Sequence, residues 1–142
     1  MIRRATKKDF LRISEIIRNE YGKRPYNERW AITDAMGTLD NYVKTGVIFV
    51  SFMDKCVVGF IVIRKERYNE IVGLVIEELV VDSNFQGRGI GKSLIKFVEL
   101  YGKKNKINRI ILYANRNSLA YSIYKKQGFK DIKRMAYMQK DL

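Results

Sequence analysis

The stretch from Glu77 to Ser93 restricts the fold more than any other part of the chain. Leu79, Val80 and Val81 close an apolar, β-branched run, which reads as the end of a strand. Asp82, Ser83 and Asn84 then form a cluster of turn residues. Gly87, Gly89 and Gly91 follow at alternate positions, and Ile90, Leu94, Phe97, Val98 and Tyr101 recur at helical spacing. A strand, a glycine loop and a helix in that order aim backbone N–H groups and a positive helix end at an anion, most often phosphate. Each glycine lets the backbone approach a ligand with no Cβ in the way. Arg88 and Lys92 add positive charge at the same end. Two common phosphate motifs fail on spacing. Gly91, Lys92 and Ser93 match the tail of a P-loop, but its leading glycine falls on Gln86. A dinucleotide fingerprint spaces its glycines two and three apart, whereas these are two and two apart.

The remaining chain supplies a scaffold of alternating elements. Ile2 to Ala5 reads as a short strand, and Thr6 with Asp9 as a helix cap. Phe10, Ile13 and Ile17 predict a helix to about Glu20, followed by a loop with Gly22 and Pro25. Asn27 is the expected cap of a second helix, with Ile32, Met36, Leu39 and Val43 on its apolar face. Val47 to Met53 and Cys56 to Arg64 read as a hairpin around Asp54 and Lys55. Gly59 inside the second run predicts a bulge or a close backbone contact. A charged turn over residues 65–70 leads into a strand from Ile71 to Val81. A helix from about Gly89 to Gly102, a strand from Arg109 to Ala114 and a helix capped by Asn117 or Ser118 and ended by Gly128 follow. Phe129 to Ile132 and Met135 to Leu142 read as closing strands. The fold class implied is α+β, one domain over residues 1–142, with helices packed on a mainly antiparallel sheet. The 142 residues suffice for one sizeable core.

Composition narrows the chemistry. The chain has no histidine, which removes Ser-His-Asp and Cys-His nucleophile schemes and histidine-based metal sites. Its single Cys56 lies in an apolar run and has no internal disulfide partner, which fits a reducing, cytoplasmic setting. No apolar run reaches membrane-spanning length and no signal peptide is evident, so no membrane partner is expected. The formal net charge of +13 suits anionic partners. The cationic residues are spread along the sequence, however, which favours a solvated lysine-rich surface over a nucleic-acid-binding patch.

With these residues in view, the chain is identified as a member of the GCN5-related N-acetyltransferase (GNAT) superfamily. Gln86-x-x-Gly89-x-Gly91 after Leu79 to Asp82 resembles its acetyl-CoA signature. The segment from Asn117 through Ala120 and Tyr124 to Gly128 and Phe129 resembles its second signature, and starts 26 residues after Gly91. Ile2 to Asp9 is similar to the usual opening, and Tyr137 to Leu142 to a common ending. The resemblance implies a GNAT-like sheet splayed between its fourth and fifth core strands, with about four flanking helices. It implies acetyl-CoA as co-substrate, an amine as acceptor and no metal; homodimers are common among similar proteins. The backbone of Gln86, Gly87, Arg88, Gly89, Ile90 and Gly91, with Lys92 and Ser93 at the helix start, would hold the pyrophosphate. Leu79 and Val81, flanking Val80, would pair with the pantetheine arm as if it were another strand. Asn117 would contact the cofactor from the opposite wall, and Tyr124 would sit near the sulfur.

Acetyl transfer from a thioester to an amine needs a base, a donor for the developing oxyanion and a proton or hydrogen bond for the departing thiolate. A backbone N–H near Val80 is the expected oxyanion donor. Tyr124 is the expected acid, since a phenol (pKa about 10) and a thiol (roughly 8.5) are not far apart. Glu77 and Glu78, adjacent in a strand, are expected to face opposite sides of the sheet. Glu77 is the preferred base, Glu78 its alternative, and a chain of waters a third route. Tyr21, Tyr26, Trp30, Tyr68 and Tyr137 are candidate walls for the acceptor, or plain core. The basic surface disfavours a polyamine and favours a neutral or acidic acceptor, such as an acidic peptide or a protein N-terminus. Two other readings stand beside this one: a basic nucleic-acid-binding module, which has no use for the glycine loop and Tyr124, and a CoA-binding sensor without catalysis.

Overall fold

The computed structural model describes residues 1–142. Five strands form one mixed sheet: β1 (Ile2–Arg4), β2 (Val47–Met53), β3 (Cys56–Tyr68), β4 (Ile71–Val81) and β5 (Arg109–Leu112). They lie in the order β1-β2-β3-β4-β5, antiparallel except for the parallel pair β4–β5. Four helices flank the sheet: α1 (Phe10–Tyr21), α2 (Ile32–Thr45), α3 (Ile90–Lys104) and α4 (Leu119–Lys126). No helix is long and apolar enough to cross a membrane.

The core divides into two clusters, one on each face of the sheet. Phe10, Ile13 and Ile17 of α1 and Leu39 of α2 pack on Val50, Phe60, Val62 and Val80. Leu94 and Val98 of α3 pack on Ile61, Ile63, Leu74 and Ile76 of the opposite face. The β3–β4 ladder spans residues 59–68 and 71–81 and is the backbone of the sheet. Its pairing carries β3 through Lys65 to Tyr68, so the expected charged turn at 65–70 shrinks to Asn69 and Glu70. Ladder hydrogen bonds hold these polar residues in a strand that their exposed side chains would not reveal.

Other expectations meet the structure with mixed results. Thr6 and Asp9 form the cap: the Thr6 N–H donates to Asp9 Oδ2 at 2.8 Å, and Arg3 clasps both carboxylate oxygens at 2.8 and 2.9 Å. That guanidinium is the chief reason the Asp9 carboxyl titrates below its ordinary value. Gly59 shows both predicted features. Val58 is an extra residue opposite β2, and a Cβ at Gly59 would come within 3.1 Å of the Val80 carbonyl oxygen. Asn27 does not cap α2; it adopts φ 51° in the loop, and α2 starts after Ala31. Cys56 is exposed, because it opens β3 at the hairpin end before the buried run begins. Residues 129–142 form no strand. Met135, Tyr137 and Met138 are exposed there, so the apolar alternation that suggested strands is not matched by burial.

Leu94 is fully buried in the α3 cluster. Leu94→Ala is expected to cost about 2–5 kcal/mol of stability, measured as a lower denaturation midpoint with an unchanged slope.

Candidate active site

β4 and β5 pair only over Gly73–Ile76 and Arg109–Leu112. Beyond Leu112 the chain turns away through residues 113–118, and residues 77–81 of β4 keep a free edge. This is the expected splay. The Asp82 N–H donates to Val58 O at 2.9 Å on the β3 side. Backbone groups alternate along a strand, so Val80 also points toward β3, while Leu79 and Val81 present theirs to the open side. The expectation for a donor near Val80 therefore moves one residue, to Leu79.

A bulge interrupts β4 at the start of this free edge. Val62 lies opposite Glu78 and Ile63 opposite Ile76, which leaves Glu77 as the extra residue. Ile76 and Leu79 both belong to the α3-side cluster, although two residues separate them. Glu77 and Glu78 consequently both turn toward the α1–α2 side, and the expectation that they face opposite sides is overturned. The alternation rule holds only for an uninterrupted ladder.

The two carboxylates have different surroundings. Glu77 pairs with Arg64 of β3. Glu78 accepts hydrogen bonds from the hydroxyls of Tyr21 in α1 and Tyr42 in α2, the latter at 2.6 Å. Burial raises the Glu78 pKa above the ordinary carboxylate value, against the opposing pull of the two hydroxyls. Burial likewise pushes up the Tyr21 and Tyr42 phenols, and Glu78 adds to the effect. Tyr124 is 6% exposed, packs edge-on against Phe129 and is raised chiefly by burial, so its hydroxyl stays protonated at neutral pH.

Tyr21, Glu77, Glu78 and Tyr124 line a cavity of about 110 Å³ in the splay, while Tyr42 and Arg64 stand behind the two carboxylates. Glu77, Glu78 and Leu79 line one side and Tyr124 the other, with Tyr21 and Tyr26 between α1 and the opening. Trp30, Tyr68 and Tyr137 are not among the lining residues, although Tyr137 lies 6.0 Å from the Tyr113 ring. Asn117 is exposed and also outside the lining, which takes in Asn115 and Ser118 instead. Ser118 is the α4 cap: its hydroxyl accepts from the Tyr121 N–H at 3.1 Å. The sequence reading missed Tyr42, Arg64, Asn115 and Ser118 as site residues. Tyr42 follows Leu39 by one helical step, a signal for the same face of α2; the other three carry no distinctive spacing.

The glycine loop follows the free edge of β4 and opens α3. Gly87 and Gly89 both have φ +77°, and no atom lies within 4 Å of a Cβ built on either. The backbone N–H groups from Gly87 to Lys92 find no acceptor in the chain; the first is Ser93, bonded to Gly89 O at 2.9 Å. A run of unbonded donors at the start of a 15-residue helix, with open space beside Gly87 and Gly89, fits a pyrophosphate. Arg88 stacks 5.2 Å from the Phe85 ring, and Lys92 and Ser93 are exposed on the first helical turn. Ile90 packs into the core and contributes its backbone alone.

The raised pKa of Glu78 makes a signed stability prediction. The native state keeps a proton that the unfolded chain releases near pH 4.3 (roughly the free carboxyl value). Stability therefore falls as pH rises from there through the folded pKa. Glu78→Gln is expected to melt above wild type at pH 8 and to lose that advantage at pH 4, as followed by circular dichroism.

Residues 44–131 match the family model of the acetyltransferase (GNAT) domain. A possible acetyltransferase from Clostridium difficile 630 superposes with a TM-score of 0.86 at 17% identity, over 100% of this chain and 97% of that one. Ribosomal-protein-alanine N-acetyltransferase from Brucella melitensis biovar Abortus 2308 gives 0.80 at 16% identity, over 99% and 98%. An aminoglycoside N-acetyltransferase, AAC(6′)-Iy, in complex with CoA gives 0.78 at 16% identity, over 100% and 95%. No curated protein matches the sequence. The structural likenesses show a shared fold, and the family match spans well over half of the 142 residues: the chain belongs to the GNAT acetyltransferase family.

Proposed function

We propose that this protein is an acetyl-CoA-dependent N-acetyltransferase that passes the acetyl group directly to an amine. One observation carries the reading: a loop of unbonded N–H groups leads along a free strand edge into a cavity where Glu78 and Tyr124 meet. Bound there, acetyl-CoA supplies the acetyl group activated as a thioester. The loop from Gln86 to Gly91, with Lys92 and Ser93, holds the pyrophosphate. The outward N–H of Val81 and the Leu79 carbonyl hold the pantetheine arm, with Asn115 and Ser118 on the wall opposite and Asn117 exposed beside them.

Glu78 is the favoured base. Its raised pKa brings it closer to that of an ammonium, and its two tyrosine partners fix the carboxylate in the cavity. Glu77, engaged by Arg64, is the lesser candidate. The Leu79 N–H stabilises negative charge on the acyl oxygen. Tyr124 donates a hydrogen bond to the leaving sulfur. Its elevated pKa makes full proton transfer uphill against a free thiol, but burial raises a thiol as well and narrows the gap. The acceptor enters past Tyr21 and Tyr26. Its amine meets the two glutamates, whereas the body of a neutral or acidic molecule, such as an acidic peptide or protein N-terminus, suits the basic exterior. Cytoplasmic acetylation is the setting this implies.

A thiol-release assay with acetyl-CoA and a panel of amines, peptides and aminoglycosides tests the proposal. Wild type is expected to release thiol only when an acceptor is present; CoA binding with no release on any amine would overturn it in favour of a sensor. Gly89→Asp places a side chain and a negative charge at φ +77° against the phosphates, and calorimetry is expected to find CoA binding abolished. Tyr124→Phe should lower kcat by about 10²-fold while CoA affinity stays near wild type.

A further inference from the structure

The last turn of α1 carries two adjacent residues that reach two separate places. Tyr21 donates to Glu78 in the acceptor-side cavity. Glu20 reaches the other way, to the turn that opens the glycine loop. Its carboxylate accepts from the Ser83 N–H at 3.2 Å, the Ser83 hydroxyl at 3.1 Å and the Gln86 amide at 3.5 Å. The same Gln86 amide donates to Val81 O at 2.9 Å, at the end of the free strand edge. Lys23 covers the cluster, 3.4 Å from Glu20 and 2.6 Å from the Ser83 hydroxyl. The Glu20 side chain is only 11% exposed, unusual for a glutamate at a helix end. Arg12, two turns earlier in α1, adds a second tie by pairing with Asp82. The charged groups of this crevice thus satisfy one another across it. It holds α1 against the loop and is not a ligand site.

We propose that Glu20 is a positioning residue that couples the phosphate loop to the acceptor pocket. The inference rests on the reading of residues 86–92 as the pyrophosphate site. A ligand that fixes the loop also fixes Ser83 and Gln86, and Glu20 passes that order to the end of α1. Tyr21, next in the chain, is then held against Glu78. Coupling of this kind is reciprocal, so an occupied acceptor pocket tightens the loop by the same factor.

Trp30 provides the readout. It is the only tryptophan, and its ring lies 6.4 Å from that of Tyr21. Its indole N–H donates to Glu28 at 3.3 Å, and the Glu28 N–H in turn bonds Tyr21 O at 2.8 Å. Trp30 lines neither the loop nor the cavity. The probe is adenosine 3′-phosphate 5′-diphosphate, the nucleotide half of CoA, which lacks the arm that would reach the pocket. Calorimetry measures its affinity and fluorescence its effect on Trp30, with thermal melting as the folding control. In wild type, saturation is expected to change Trp30 emission. In Glu20→Ala, binding is expected to weaken about tenfold and saturation to leave the emission unchanged. Glu20→Gln, which keeps one oxygen for Ser83, is expected to restore part of the response and serves as the test if Glu20→Ala does not fold. A silent Trp30 in saturated wild type, or a full response with wild-type affinity in Glu20→Ala or Glu20→Gln, would overturn the coupling while leaving the loop as the binding site. Failure of both the nucleotide and CoA to bind wild type would overturn the loop reading and the coupling with it.

Discussion

β4 runs on through residues 77–81 after its last bond to β5, leaving a row of backbone groups without a partner strand. An open strand edge in a protein core region is costly unless something pairs with it. Here the edge borders a cavity, and the segment that leaves it open, residues 113–118, supplies the cavity's other wall. The divergence also brings the N-terminus of α4 to the site, where the Ser118 cap fixes the helix that carries Tyr124. Pocket, free edge and the placement of the buried phenol all follow from one short parallel ladder.

The bulge at Glu77 is the second constraint. An uninterrupted β4 would send Glu78 to the same face as Ile76, into the apolar cluster under α3. The extra residue turns it instead toward Tyr21 and Tyr42. A carboxylate buried in a hydrophobic layer would be prohibitively destabilising, whereas one held by two hydroxyls is merely strained toward protonation. The cost in stability and the gain in basicity are the same pKa shift. A chain with net charge +13 thereby contains a pocket lined by two glutamates, one of them paired with Arg64. Net charge describes the long-range field; the field inside the pocket is set by what lies within a few ångströms.

Much of this was legible in residue order, and the misses have physical reasons. The alternate glycines announced the loop, and Gly87 and Gly89 adopt the left-handed conformation that only glycine takes freely. The helical spacing of Ile90, Leu94 and Val98 fixed the buried face of α3. The facing of Glu77 and Glu78 failed because a bulge has no strong sequence signature in a β-branched run. The closing strands failed because alternation describes a segment's own pattern and not whether another strand lies beside it. Asn27 failed as a cap because its left-handed φ leaves it in the loop, five residues ahead of α2.

The sequence by itself determined the order of elements from β1 to α4, the glycine loop ahead of α3 and the absence of histidine chemistry, because these depend on local backbone freedom, periodicity and residue type. Tertiary structure alone decided which glutamate meets the tyrosines, how far β4 runs unpaired and that Glu20 grips the loop. Those outcomes depend on register and on contacts between residues 36 to 66 positions apart, such as Tyr42 with Glu78 and Glu20 with Gln86. No local pattern encodes such contacts, since their energies appear only once the sheet has set the distances.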